Sequence, residues 1–318
     1  MFNILIIGAG QIGSRHLQGL IGESLDLNIT VVDTSSFSLD SAKVRWIEEG
    51  GDKSNHKIKW CEAISKNIKS LDLVIVATSS RGRAELVEQV ALSVNVNYWV
   101  FEKVLAQSKQ ELDLIKYATN RAKGAWVNTP KRLMNWYKQL KIKFSNQKPL
   151  RIKKTGGLWG LACNSIHYID LIIWWTGESL LSVNTSRLDP IWFKSKRAGY
   201  FEVSGELLIN FSGGTELILQ SYSNVVEDIM YIELADKKNW IIDESKGIAF
   251  ESKKDILNGQ LELQSRMTGP MVTKILTHGI CELPTLKESF EQHTIFLDAM
   301  LNHWNLSNNY DDNIVPIT

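Results

Sequence analysis

Cysteine is scarce in this chain, and the few thiols are scattered: Cys61, Cys163 and Cys281 stand far apart among 318 residues. An odd, unclustered set builds neither a disulfide framework nor a zinc site, and it fits a reducing compartment. Neither sign of charge prevails. Lysine and arginine total 36 against 35 for aspartate and glutamate, which leaves no basic footprint for nucleic acid or for an anionic membrane. Long apolar runs are missing too, since none approaches the roughly 18 residues that a spanning helix needs. The opening run Phe2–Ile7 has no basic flank and leads straight into a glycine turn, so it reads as a strand and not as a leader. Internal repeats, low-complexity stretches and long charge runs are absent as well. These absences leave a cytoplasmic globular protein with a small-molecule partner.

The length suffices for two domains, each able to bury its own core. Short apolar runs alternate with helical patterns from Asn3 to Asn128: Asn3–Ile7, Gly13–Ile21, Asn28–Val32, Ser41–Glu48, Leu71–Ala77, Ala84–Ser93, Tyr98–Phe101, Lys109–Ala122 and Ala125–Asn128. That rhythm predicts βαβ units on a parallel sheet. After Asn128 it changes. An amphipathic helix over Lys131–Phe144 and an extended stretch Arg151–Thr155 precede a region from Leu180 to Ser252 that reads as strands and turns. Clean alternation in Phe201–Phe211 and Glu216–Tyr222 predicts an antiparallel sheet with one face covered and the other open, a surface suited to a homodimer or homotetramer. Thr285 and Glu288 have the spacing of a capping box, opening a helix with Leu286, Phe290, Leu297, Met300, Leu301 and Trp304 on one stripe. The expected domains are residues 1–128 and 129–318.

Gly8-Ala9-Gly10-Gln11-Ile12-Gly13 is a complete G-x-G-x-x-G after a strand and before a helix, the context that a dinucleotide-binding turn requires. Gly8 permits the tight turn, Gly10 lets backbone approach a pyrophosphate, and Gly13 allows close packing of helix on strand. Amide donors and the partial positive charge of the helix N-terminus then face the diphosphate. Asp33 ends the second strand twenty residues past the last glycine, where a ribose-binding acid belongs. Its charge would repel a 2′-phosphate, and Thr34-Ser35-Ser36 offers no arginine to receive one, which favours NAD over NADP. The first domain is therefore expected to be a Rossmann domain, and the whole chain α/β: a doubly wound parallel sheet followed by an α+β domain on a mainly antiparallel sheet.

Four patches in order make the chain resemble the glucose-fructose oxidoreductase, inositol dehydrogenase and MocA (Gfo/Idh/MocA) family. They are the glycine turn with Arg15-His16; Val76-Ala77-Thr78-Ser79; Glu102-Lys103; and Gly156-Gly157 followed by His167-Tyr168-Ile169-Asp170-Leu171 and Gly177. The resemblance implies that Thr78 and Ser79 line the nicotinamide side, that Glu102-Lys103 matches a segment whose lysine touches both cofactor and substrate, and that His167 is the catalytic histidine. Three departures stand out. Val104 follows the lysine where relatives carry proline, and cis peptides before other residues cost about 2.5–4 kcal/mol, so a trans bond is expected. Arg83 replaces a frequent histidine, in a position to line the cofactor cleft. Cys163 stands where many relatives have an active-site aspartate; with an ordinary thiol pKa near 8.5 it is mostly neutral and cannot hold a hydroxyl as a carboxylate does. A different substrate class is expected.

Oxidation of a carbinol needs a base for the hydroxyl proton and a donor to polarise the carbonyl in reverse. His167 titrates near neutrality, and Asp170 at i+3 shares its helix face and can orient it. Lys103 follows the fifth strand, at the carboxyl edge of the sheet, where open α/β folds bind ligands. Trp159 suits stacking on a sugar ring, Asn164 offers an amide beside Cys163, and Arg132 suits a substrate phosphate or carboxylate. No histidine spacing suggests a metal. The expected activity is an NAD-dependent oxidoreductase acting on a sugar or nucleotide sugar, with surface-polysaccharide sugar synthesis as one setting. Net epimerisation or elimination with tightly held NAD, and a non-catalytic dinucleotide sensor, stay open as alternatives.

Overall fold

The structure, a computed structural model, describes residues 1–224, 227–251 and 255–318. Two compact units divide the contacts: Met1–Ala106, Gln110–Pro130 and Glu262–Ser289 form one, and Gln107–Lys109, Lys131–Leu261 and Phe290–Thr318 form the other. The return of Glu262–Ser289 to the first unit differs from the expected division.

In the first unit the elements run β1 (Phe2–Ile7), α1 (Gln11–Gln18), β2 (Leu27–Val32), α2 (Ser36–Glu48), β3 (Lys57–Cys61), β4 (Ser70–Val76), α3 (Arg83–Ser93), β5 (Asn95–Glu102), α4 (Lys109–Ala118) and β6 (Gly124–Asn128). All six strands pair in parallel in the order β3-β2-β1-β4-β5-β6. β1 and β4 are central and bury four residues in a row at their carboxyl ends, because helices cover both faces of such a sheet. The strand order reverses between β1 and β4, so their carboxyl ends open the crevice in which doubly wound sheets bind ligands. β3 is polar and alternates exposed with half-buried positions as an edge strand does, and the sequence reading passed over it.

The second unit holds α5 (Asn135–Phe144), β7 (Arg151–Thr155), α6 (Leu161–Thr176), β8 (Leu180–Leu188), β9 (Phe193–Lys194), β10 (Phe201–Glu202), β11 (Gly205–Phe211), β12 (Glu216–Ser221), β13 (Ile229–Glu233), β14 (Asn239–Asp243), β15 (Ile248–Glu251) and β16 (Asp255–Asn258). Eight of these strands form one sheet in the order β16-β15-β14-β13-β7-β12-β11-β8. It is antiparallel except at β7 and β12. One face is apolar: Ile152, Leu207, Ile209, Leu217, Leu219, Met230, Ile232 and Trp240 are buried. Aromatic edges join this face to the helices, with Phe144 of α5 lying 5.6 Å from Trp240 and 5.0 Å from Trp175 of α6. The other face is open and carries a cavity of about 360 Å³ lined by Arg151, Lys153, Glu216, Ile218, Tyr231 and Ile241 among others.

Three local expectations are revised. The helix expected from Lys131 begins as a single turn, Pro130–Leu133, with α5 starting only at Asn135, because Lys131 and Arg132 turn inward to Glu244 and Asp170. The strand expected from the alternation over Phe201–Phe211 breaks between β10 and β11, where Glu202 also points inward, to α6. The strand-rich region expected to end at Ser252 continues into β16, and Ser252 itself lies outside the described residues. α7 (Gln264–His278) was not anticipated: it carries Pro270 inside the helix, a residue that reads as a breaker. α8 (Leu286–Asn308) follows the expected capping box. Thr285 N–H and Oγ1 donate to Glu288 Oε2, each at 2.7 Å, and Glu288 N–H donates to Thr285 Oγ1 at 3.2 Å. Among the described residues no helix is long and apolar enough to cross a membrane.

Candidate active site

The glycine turn in the first unit is set by close contacts. Gly8 has φ +97°, and a side chain there would meet Ala77 backbone at 2.9 Å, while one at Gly13 would lie 1.8 Å from the Gly8 carbonyl. Nothing lies within 4 Å of a side chain placed at Gly10. Protein packing therefore explains two of the three glycines, and the third borders open space where backbone can meet a ligand. Asp33 is tied to this turn: its Oδ2 accepts from Ala9 N–H at 2.7 Å and its Oδ1 from Ser35 N–H at 2.9 Å. A cavity of about 500 Å³ opens beside them, lined by Gly8, Asp33, Thr34, Ile64, Lys66 and Thr78 among others. Gln11 and Ile12 open α1, whose first turn has no acidic side chain to oppose a bound anion. Ser79 follows Thr78, half-buried in the same loop.

Lys103 is half-buried just beyond β5. Its neighbour Glu102 is buried, with Oε1 meeting His16 Nε2 at 2.9 Å and Asn128 Nδ2 at 2.5 Å; His16 Nδ1 meets Thr268 Oγ1 of α7 at 3.0 Å. Burial pushes the Glu102 carboxyl up, but hydrogen bonding and charge from His16, the Asn128 amide and the Lys103 charge together hold it below the usual range. The expected trans bond between Lys103 and Val104 is cis. The turn is held from beneath: Arg83, 1% exposed, donates from Nη1 to the carbonyls of Glu102 at 2.5 Å, Val104 at 2.6 Å and Leu105 at 3.0 Å, and from Nη2 to that of Thr78. Arg83 thus clamps the Lys103 turn to the loop after β4, instead of lining a cleft as the sequence suggested.

In the second unit α6 presents the remaining candidates. Its N-terminus is closed by Glu202 of β10, whose Oε2 accepts from Ala162 N–H at 2.8 Å and whose Oε1 accepts from Cys163 N–H at 3.3 Å. A carboxylate at a helix N-terminus is favoured by the helix dipole and by the unpaired amides there. Cys163 and Asn164 are half-buried in this turn, with Asn164 Nδ2 donating to the Trp159 carbonyl at 2.8 Å. Trp159 donates through Nε1 to the Gln220 carbonyl at 2.8 Å and packs edge-on against Tyr168 at 5.5 Å. His167 is half-buried one turn further along.

Asp170 is fully buried. Arg132 donates to it from Nε at 2.9 Å and from Nη2 at 2.6 Å, and Gln292 Nε2 adds a bond at 3.1 Å. This fork ties α6 to the Pro130–Leu133 turn, and Arg132, 6% exposed, is a structural cation and not a surface group awaiting a substrate. Beside it Lys131 donates to Glu244 Oε1 at 2.7 Å, and the Tyr137 and Tyr168 hydroxyls donate to the same carboxylate. Burial raises Glu244, but the charge and hydrogen bond of Lys131, with Tyr137 and Lys154, bring it below the usual range. Sequence reasoning missed Glu202, Glu244 and Lys154, each of which reads locally as an ordinary surface charge. Among the described residues no group of three or more His, Cys, Asp or Glu side chains is placed to hold a metal.

A glycine turn at the switch point of a parallel sheet, with an acid fixed on it, defines a dinucleotide-binding domain, here joined to an α+β unit. A family model described as "Putative NAD(P)-binding" matches residues 1–101. More narrowly, the fold is that of Gfo/Idh/MocA oxidoreductases. The chain aligns over 98% of its length with 100% of a Gfo/Idh/MocA family oxidoreductase from Vibrio cholerae, at TM-score 0.66 and 15% identity. An oxidoreductase from Agrobacterium radiobacter in complex with NAD+, L-tartaric acid and magnesium aligns at TM-score 0.71 and 14% identity, covering 96% of each chain. For myo-inositol dehydrogenase from Lactobacillus casei in complex with NAD(H) and myo-inositol, TM-score is 0.67 and identity 13%, over 96% of this chain and 95% of that one. No curated protein matches the sequence.

Proposed function

We propose that this chain is an NAD-dependent oxidoreductase that interconverts a hydroxyl and a carbonyl on a sugar or nucleotide sugar. The observation that carries it is the Asp33 carboxylate, fixed on the glycine turn by Ala9 N–H at 2.7 Å beside a cavity of about 500 Å³. A carboxylate so placed accepts from adenosine ribose hydroxyls and repels a 2′-phosphate. The amides of Gln11, Ile12 and Gly13 face the diphosphate, and Thr78, Ser79 and Glu102-Lys103 border the nicotinamide side. NAD bound there supplies the hydride acceptor. Structural neighbours that hold NAD with inositol or tartrate support polyhydroxylated substrates.

His167 takes the hydroxyl proton as the reaction proceeds, and Lys103 polarises the oxygen. Asp170 acts as a positioning residue, because its fork with Arg132 fixes the helix that carries His167. Trp159, Cys163 and Asn164 line the substrate side as an uncharged polar wall. The test is spectrophotometric: purified protein and NAD are screened against free sugars, polyols and nucleotide sugars, including those used for surface polysaccharides, and reduced nicotinamide is followed. Accumulation with one sugar class supports the reading. Conversion of substrate with no free NADH moves the activity to internal redox, and NAD binding with no conversion of any sugar leaves a sensor.

A further inference from the structure

Lys154 of β7 points to the covered face of its sheet, and its side chain is 2% exposed. A buried ammonium needs a counter-charge. The acid nearby, Glu244, half-buried, is already engaged by Lys131 and two tyrosine hydroxyls. The ion-pair partner of Lys154 is instead Asp228, between β12 and β13, whose side chain is 49% exposed. Two aromatic rings stand beside this pair. Trp159 stands edge-on to Tyr168, with Lys154 Nζ 5.8 Å from the centre of the Tyr168 ring. At Gly156 a side chain would meet Trp159 at 2.9 Å and Asp228 at 3.4 Å, so the end of β7 is left bare between them.

We propose that Lys154 and Trp159 form a subsite for the carboxylate of a sugar acid, with the Asp228 carboxylate occupying it until the ligand's own carboxylate takes its place. The proposal rests on the sugar oxidoreductase reading and names its substrate class. The exchange conserves charge, since one carboxylate replaces another on one ammonium. It frees a half-exposed loop side chain to water and leaves the buried lysine paired throughout. Glu244 is balanced by Lys131 at 2.7 Å, so a single incoming charge meets less opposition than a double one. A phosphate dianion would set two charges against one ammonium with Glu244 close by, so the geometry selects a monoanion.

The test is thermal shift and calorimetric titration with NAD present, using D-glucuronate, D-galacturonate, D-glucose, glucose 6-phosphate and acetate, on the native chain, Lys154→Met and Asp228→Asn. One charge-assisted contact predicts uronate binding about tenfold tighter than glucose. Lys154→Met erases that preference. Asp228→Asn strengthens uronate binding by removing the internal competitor, a gain that loss of fold cannot imitate. The proposal is overturned if Lys154→Met keeps the native preference, if glucose 6-phosphate outbinds the uronates, or if neither uronate nor acetate stabilises the native chain or Asp228→Asn. Uronate binding through Lys154 with no NADH from any sugar upholds the subsite and removes the dehydrogenase reading; turnover of neutral sugars with no uronate preference does the reverse.

Discussion

The guanidinium of Arg132 grips the carboxylate of Asp170 at two points, 2.9 and 2.6 Å, with 7% and 0% of the two side chains exposed. The residues are 38 positions apart, and their fork joins the turn that opens the second unit to α6. Breaking a buried pair strands the remaining charge. Asp170→Asn and Arg132→Met are each expected to lower stability by about 3–5 kcal/mol, measured by urea unfolding. The double variant Arg132→Met with Asp170→Leu is expected to recover much of that loss. Single variants within experimental error of the native chain would remove the pair from the framework.

Asp33 makes a cofactor prediction. NAD(H) is expected to bind more tightly than NADP(H), and Asp33→Ser is expected to narrow the gap by relieving repulsion of the 2′-phosphate. Fluorescence titration with both reduced cofactors decides it, and equal affinities in the native chain would sink the assignment.

Three variants separate roles in turnover. His167→Ala is expected to bind NAD normally and to lose roughly 10²–10⁴-fold in kcat. Lys103→Met is expected to lower kcat and to weaken cofactor binding as well. Asp170→Asn loses less turnover than His167→Ala, because the ring remains and only its support is loosened. An active His167→Ala enzyme would transfer the proton role to Lys103 or Cys163.

Lys154 gives a pH signature in stability. Its ammonium falls from 10.5 to about 8, chiefly because of burial, with Glu244 and Asp243 pulling it up and Lys131 adding to the fall. The folded chain therefore releases this proton at lower pH than the unfolded chain does. Between about pH 8 and pH 10.5 the unfolded state binds more protons, so this lysine adds stability as pH rises through that window and is a constant cost below it. Native stability minus that of Lys154→Met is expected to climb across the window in urea unfolding; a flat difference would contradict the buried ammonium.

The open sheet face predicts association. Leu208 of β11 and Ile218 of β12 are cross-strand partners, both half-exposed on that face. A homodimer or homotetramer is expected by light scattering at micromolar concentration, and Leu208→Glu with Ile218→Lys is expected to shift it to monomer. A native monomer would leave the face without this role.

Much of the nucleotide-binding half was legible because its signals are local. Strand–turn–helix periodicity, three glycines within six residues and an acid twenty residues later specify a turn whose parts are neighbours along the chain. The Thr285–Glu288 box was legible for the same reason, since both partners lie within one helical turn. Residues joined across the fold were not. His167 and Asp170 share a helix face by spacing, yet the Asp170 carboxylate goes to Arg132 and Gln292, which arrive from other elements. Glu202, Lys154 and Glu244 read as solvated charges because one sequence does not show which strand will lie opposite which helix. α7 stayed hidden behind Pro270, and its place is set by contacts such as that between Thr268 and His16, 252 residues apart. Local patterning determined the elements and the dinucleotide turn. Only the tertiary structure decided which buried charges meet, because a charge placed in a low-dielectric interior takes the partner that the packing brings to it.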